Sequence, residues 1–188
     1  MRTATEILRN EHDAILRMLD ATEEVIQRLG RREQVEPQIL SQLLEFFRLF
    51  ADRCHHGKEE DLLFPLLEKK GMPRGGGPIG VMLAEHDTGR GFVRQMAETS
   101  AAYAAGDLGA AAKWATAAVQ YSELLREHIA KENEVLFVMA ERILSHAEQM
   151  ELAKAFEEAE VEKMGEGTHE RLHVMMDKLL AELQPVKG

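Results

Sequence analysis

A twelve-residue phrase occurs twice in this chain, and the repetition restricts the fold more than any other feature of the sequence. HHGKEEDLLFPL, beginning at His55, returns as HIAKENEVLFVM, beginning at His128. Aligned without a gap, His55 falls on His128 and Glu59 on Glu132. A matching word precedes each phrase, NEHD around His12 and AEHD around His86. His12 lies 43 residues before His55, and His86 lies 42 before His128. A chain that keeps this order and spacing is built as two similar halves. On a helix, residues four apart share a face, so each HxxxE can offer a nitrogen and an oxygen to one metal ion. Two such halves facing each other would form a dinuclear site.

The hydrophobic pattern predicts helices throughout. Thr3 and Glu6 have capping-box spacing, and a stripe runs through Leu8, His12, Ile15, Leu19, Thr22, Ile26 and Leu29. A second helix carries Leu40, Leu44, Phe47, Ala51, His55, Glu59 and Leu62 on one face, with Pro65 expected to kink or shorten its end. The segment GMPRGGGP, 71–78, cannot sustain a helix and divides the halves. The third helix aligns Ile79, Met82, His86, Gly89, Val93, Met96, Ser100 and Tyr103, where Gly89 and Gly91 would permit close backbone approach. After a turn at Gly106 and Asp107, a fourth helix puts Leu108, Ala111, Ala115, Ala118, Leu125, His128, Glu132, Val135 and Met139 inward. Its alanine-rich start suits a closely packed neighbour. The expected fold class is all-α: an antiparallel up-and-down four-helix bundle over residues 1–145, then a C-terminal helical extension over 146–188 packed on the bundle. The extension breaks at GEGT, 165–168, and its last helix carries His169, Leu172, Met176, Leu179 and Leu183.

Composition excludes several classes of function. A net charge of −10, with no basic run, argues against nucleic acid and against an anionic membrane surface, because both need clustered Lys and Arg. No stretch approaches the roughly 20 apolar residues of a membrane span, and the first residues carry charges where a signal peptide would be apolar. The single cysteine, Cys54, cannot form an intramolecular disulfide. These features together place the chain in the cytoplasm. No serine or cysteine stands in a nucleophile elbow, and PRGGGP lacks the lysine and preceding strand of a phosphate loop. Long helices and ten methionines allow the extension to cap the bundle, to close over the site or to make a homodimer.

HxxxE alone is a common surface pair; His56 with Glu60 has it, and His173 with Asp177 has its acidic equivalent. The repeat chooses among them. His56 and Glu60 align with Ile129 and Asn133, which puts His56 in an outer shell or on the surface. Glu11 and Glu85, beside the first-helix histidines, along with Asp13 and Asp87, read as surface groups or as groups that orient imidazoles. The candidate metal ligands are therefore His12, His55, Glu59, His86, His128 and Glu132. Imidazole and carboxylate suit iron, manganese or zinc, whereas the lack of paired cysteines argues against structural zinc or an iron–sulfur cluster. A ferritin-like di-iron site would use ExxH on two helices, whereas the two halves here use the reverse order with a different step, HxxxE.

EHD, HxxxE with LFP, EHD again and HxxxE with LF, in that order over about residues 5–143, resemble the hemerythrin-like domains, the HHE cation-binding family. The resemblance implies a four-helix bundle holding two iron ions as a non-heme di-iron centre with an oxo or hydroxo bridge. Carried over, His12 and His55 would bind one iron and His86 and His128 the other, with Glu59 and Glu132 bridging both. Oxygen-carrying hemerythrins have a further histidine four residues after the position of His86, where this chain has Arg90; His169 or Glu60 could complete the site instead. The implied function is binding or sensing of dioxygen, peroxide or nitric oxide, or handling of iron. The alternatives are a redox enzyme of peroxidase-like or iron-centre-repair type and a metal-free helical adaptor.

Overall fold

The computed structural model describes residues 2–107 and 109–183, so the expected inward position of Leu108 and the last five residues of the extension lie outside the described residues. Among the described residues there are six helical runs and no strand. They are α1, Ala4–Gly30; α2, residues 37–69; α3, Pro78–Ala104; α4, residues 109–143; α5, His146–Met164; and α6, Thr168–Leu183. The expected capping box starts α1: Glu6 N–H donates to Thr3 Oγ1 and Thr3 N–H to the Glu6 carboxylate at 2.8 Å. Ser145 and Glu148 form a second box at the start of α5. Pro78 opens α3 at a position that needs no N–H donor. Gly106, at φ +95°, makes the turn between α3 and α4 in a conformation closed to most side chains.

The predicted face of α3 is the observed one as far as Ser100: Ile79, Met82, His86, Gly89, Val93, Met96 and Ser100 are all buried, and Tyr103 is only partly covered. The other faces depart from expectation in definite places. In α1 the stripe ends on buried Val25, with Ile26 and Leu29 only partly covered. In α4 the buried positions are Ala110, Trp114, Ala117, Ala118 and Tyr121 rather than Ala111 and Ala115, because burying the indole of Trp114 sets the face. A Cβ on Gly89 would meet Tyr121 at 3.5 Å, an ordinary contact, and one on Gly91 would meet only an Arg94 nitrogen at 3.9 Å. The close approach expected at these glycines is therefore not what retains them.

A further departure has one cause repeated twice. Phe47–His56 and Glu59–Leu63 in α2, and Glu132–Leu136 in α4, run in wide π-helical turns. Phe64 N–H donates to the Glu59 carbonyl, and Phe137 N–H to the Glu132 carbonyl. A π turn accommodates one extra residue and so rotates the rest of the helix by about 100° relative to an uninterrupted α-helix. The inward face slips by one position after each glutamate, to Leu63 in place of Leu62, Leu136 in place of Val135, and Ala140 in place of Met139. Pro65 does not end α2. It sits at the start of the α-helical segment Phe64–Lys69, where its missing N–H coincides with the change of register.

The helices α3 and α4 form the most extensive pair, α1 packs on α4, and α2 on α3. Both α5 and α6 lie against α1 and α2. The core consists of two apolar clusters. One contains Ile15, Phe47, Met96, Trp114 and Leu172; the other contains Leu8, Phe64, Met82, Phe137 and Phe156. Between them, on each of the first four helices, lies a histidine of the repeated words.

Candidate metal centre

Six buried side chains converge in the layer between the two clusters: His12, His55, Glu59, His86, His128 and Glu132, each at most 1% exposed. The π turns that begin at Glu59 and Glu132 let each helix bury its glutamate and the Leu-Phe pair behind it. His12 Nε2 and His55 Nε2 are 3.0 Å apart, and His86 Nε2 and His128 Nε2 are 3.1 Å apart. The carboxylates link these pairs crosswise. Glu59 lies 3.6 Å from His55 Nε2 and 3.5 Å from His86 Nε2. Glu132 lies 3.1 Å from His12 Nε2 and 3.3 Å from His128 Nε2. Each glutamate thus spans a histidine from each half of the sequence.

The outer nitrogen of every one of these imidazoles faces an oxygen. His12 Nδ1 is 2.9 Å from Asn133 Oδ1, His55 Nδ1 2.8 Å from Glu11, His86 Nδ1 2.7 Å from Glu60, and His128 Nδ1 2.9 Å from Glu85. Arg9 donates to the Asn133 side-chain oxygen, which fixes the direction of that amide. In the neutral imidazole the proton then resides on Nδ1, and four Nε2 lone pairs point inward. Facing lone pairs at about 3 Å repel unless a cation lies among them. Apart from these imidazole nitrogens, nothing donates to the carboxylate oxygens of Glu59 and Glu132. Burying such a set without a positive partner is costly. Among the protein's own groups the imbalance appears as proton affinity. Burial opposes protonation of His86, yet hydrogen bonds to Glu59 and Glu60 outweigh it and raise its pKa to about 9. His12 is raised likewise, burial notwithstanding, by Glu132. Glu132 is lowered in spite of burial by His128 and His12. The cavity selects positive charge, and its donors fit metal cations.

Sequence reasoning paired Glu11 and Glu85 with imidazoles correctly in kind, and the structure adds that each holds the histidine of the opposite helix word. Asn133, Lys58 and Lys131 were missed. Lys58 is buried and bonded to Glu11 and Glu160, while Lys131 is bonded to Glu85. The signal was present, since both lysines occupy the same place in the repeated phrase. Glu60 does not join the inner set; it serves His86 Nδ1 from outside. His169 is not in it either, but stands 3.8 Å from Glu160 beside Phe50 and His173. Arg90 ties Glu60, Asp52 and Asp87 together. Burial pushes the Cys54 thiol up to about 12, which removes it from redox chemistry as a thiolate. His56 is the largest surprise. It is buried, stacked on His86 with ring centroids 3.8 Å apart, and held neutral by burial and by the neighbouring histidines. Of the two places expected for it, outer shell or surface, the surface is ruled out, because α2 turns His56 toward α3.

Donor atoms of His12, His55, Glu59 and Glu132 lie within 4.8 Å of one another, a group that could hold a metal ion. The family model of the hemerythrin HHE cation binding domain matches residues 3–140, the stretch that carries every one of these side chains. The chain belongs to the hemerythrin HHE family. Its polar layer, which could hold metal, is assembled from both halves of the repeat. Uncharacterized proteins of Mycobacterium tuberculosis, strains H37Rv and CDC 1551, and of Mycobacterium bovis are 29% identical over 164 residues. The alignment covers 87% of this chain but 64% of each of those proteins. No solved structure matches. No helix among the described residues is long and apolar enough to cross a membrane.

Proposed function

We propose that this hemerythrin-like chain is a di-iron protein that binds or senses a small ligand such as dioxygen, peroxide or nitric oxide, or handles iron. The observation that carries the reading is the inward convergence of four Nε2 lone pairs and two carboxylates with no proton donor of their own. In this reading His12 and His55 would hold one iron and His86 and His128 the other, with Glu59 and Glu132 shared between them. Such a centre supplies redox chemistry at coordination positions left open to a small molecule. The protein's part is to fix the imidazole tautomers through Asn133, Glu11, Glu60 and Glu85, to exclude bulk water, and to admit only what can pass a layer at most 1% exposed. Iron is favoured over zinc and manganese by the family resemblance and tolerated by the donor set.

The scaffold in this reading is an antiparallel up-and-down bundle of α1 to α4. In support, α1 and α3 run from the Leu8–Phe64 cluster through the polar layer to the Trp114 cluster, while α2 and α4 run the other way. The extension, α5 and α6, forms a cover on α1 and α2, and the lone cysteine suits a cytoplasmic setting.

Metal content per chain of untagged protein, read with near-ultraviolet absorbance before and after reduction and re-exposure to air, tests the proposal. Two irons, with absorption that bleaches and returns, are expected. No stoichiometric metal after anaerobic iron loading would overturn it in favour of the adaptor, and zinc or manganese alone would remove the redox role. His55→Ala combined with His128→Ala should abolish metal uptake.

A further inference from the structure

The pseudo-symmetry of the site fails at one position, and the failure has a chemical content. His56 aligns with Ile129, and both are buried, but one is a ligand-bearing side chain and the other is apolar. Neither ring nitrogen of His56 has a hydrogen-bond partner. Evolving an imidazole into the core without a partner is unfavourable, and leucine or isoleucine would fill the same space, as Ile129 does. The surroundings show what the ring is aimed at. A nitrogen of His56 lies with donor atoms of Glu59, His86 and His128 in a group within 4.8 Å of one another. Its ring centroid is 5.6 Å from that of His128. On its outer side, His56 Nδ1 is 3.5 Å from Asp52 Oδ1, which Arg90 Nε holds at 2.8 Å. This repeats in looser form the arrangement of the other four imidazoles, each with Nδ1 toward an oxygen and Nε2 inward.

We propose that His56 is a fifth histidine ligand, coordinating through Nε2 the divalent first-row metal held by His86 and His128. This rests on the two-metal reading above and makes the two metals unequal. One would have three histidines; the other, bounded by Ile129 on the corresponding side, would keep two. A cavity of about 690 Å³, lined among others by Asp52, Gly89, Arg90 and Tyr121, reaches His56.

The test uses the full chain as wild type, His56→Leu and His56→Ala, with His173→Ala as a control outside the site. Anaerobic titration with iron(II) and with cobalt(II) measures the affinity of each equivalent, cobalt(II) ligand-field spectra and iron-edge X-ray absorption report imidazole coordination, and thermal unfolding is followed without metal. Removing even an outer partner of a metal ligand typically costs about 10–100-fold in affinity, so loss of a direct ligand should weaken one metal equivalent by at least about tenfold. That equivalent should also lose imidazole scattering, while His173→Ala matches wild type. Without metal, His56→Leu should be at least as stable as wild type, since a partnerless polar group has been replaced by an apolar one. A histidine kept for packing gives the opposite pair of results, a less stable or unfolded His56→Leu and unchanged metal affinities and spectra in whichever variant folds; either overturns the proposal. If wild type takes up two metals and His56→Ala does so identically, His56 is not a ligand and the di-metal reading stands. If wild type itself takes up no metal, both fall.

Discussion

Each oxygen that holds an inward imidazole itself answers to a cation: Glu11 to Lys58, Glu85 to Lys131, Glu60 to Arg90, and Asn133 to Arg9. These cations keep the carboxylates ionised and turned outward, so the proton of each imidazole stays on Nδ1 and the inner nitrogen stays available. The two halves differ in how deeply this ring is buried, and the difference can be measured. Lys58 is 2% exposed whereas Lys131 is 40% exposed. Glu85→Gln should therefore lower metal affinity by about 10–100-fold with little loss of stability in the metal-free protein. Glu11→Gln should do the same and also cost about 3 kcal/mol or more, because it breaks a buried ion pair. Competition titrations with a chromophoric chelator, paired with urea unfolding, separate the two effects; equal stability losses in both variants would contradict the burial argument. All six inner residues were legible in the sequence because they repeat. His56 was not, because the repeat that identified its neighbours aligned it with an isoleucine.

At the scale of elements, helix type and the breaks at 71–78, Gly106 and 165–168 could be read from sequence, and the faces of α1, α3 and α6 largely followed the 3.6-residue period. The π turns could not be read that way. A periodicity argument assumes a constant period, and the period changes at Glu59 and Glu132, so beyond those points the inward positions slip by one residue, whereas the earlier misses at Ala111 and Ala115 come from the burial of Trp114. Where the helix is regular, ordinary propensity should govern. Gly91 lies inside α3, partly exposed, with space for a methyl group. Gly91→Ala is expected to raise stability by about 0.5–1 kcal/mol, visible as a higher midpoint in chemical denaturation. At the start of α5, the Lys70 side chain and the Ser145 cap hold the Glu148 carboxyl down to about 2. Because this pKa is depressed on folding, its contribution is present above the usual value of 4.5 and is lost as pH falls from there toward 2. Protection factors for amide exchange at the first turn of α5, taken relative to the intrinsic rate at each pH, should fall over that interval in wild type, and Glu148→Gln should already have low protection at neutral pH that does not fall further.

Taken whole, the molecule places a polar layer between two apolar clusters and leans an extension against two of the four helices that build the layer, α1 and α2. The extension touches the layer by two routes of different kinds. Phe156 is buried in the cluster of Leu8, Phe64 and Phe137, and Phe137 stacks on His12 with ring centroids 5.4 Å apart. Glu160 bonds Lys58 at 2.8 Å, and Lys58 holds Glu11 against His55. Packing and charge therefore both connect α5 to the histidines of the layer, and metal titration reports whether either matters. Phe156→Ala should cost about 3–5 kcal/mol in the metal-free protein by opening a core cavity. If the polar layer is independent of this packing, iron(II) at about 100 times its dissociation constant stabilises wild type and Phe156→Ala by the same amount, about 2.7 kcal/mol for one site. We expect the variant to gain less, because His12 loses the support of Phe137 and the layer loses its fixed geometry. Glu160→Gln, which leaves the cluster intact, should reduce the metal-induced gain only through the charge route, and thermal unfolding with and without iron(II) measures all three proteins. Equal gains across the set would make the extension a passive cover on the bundle.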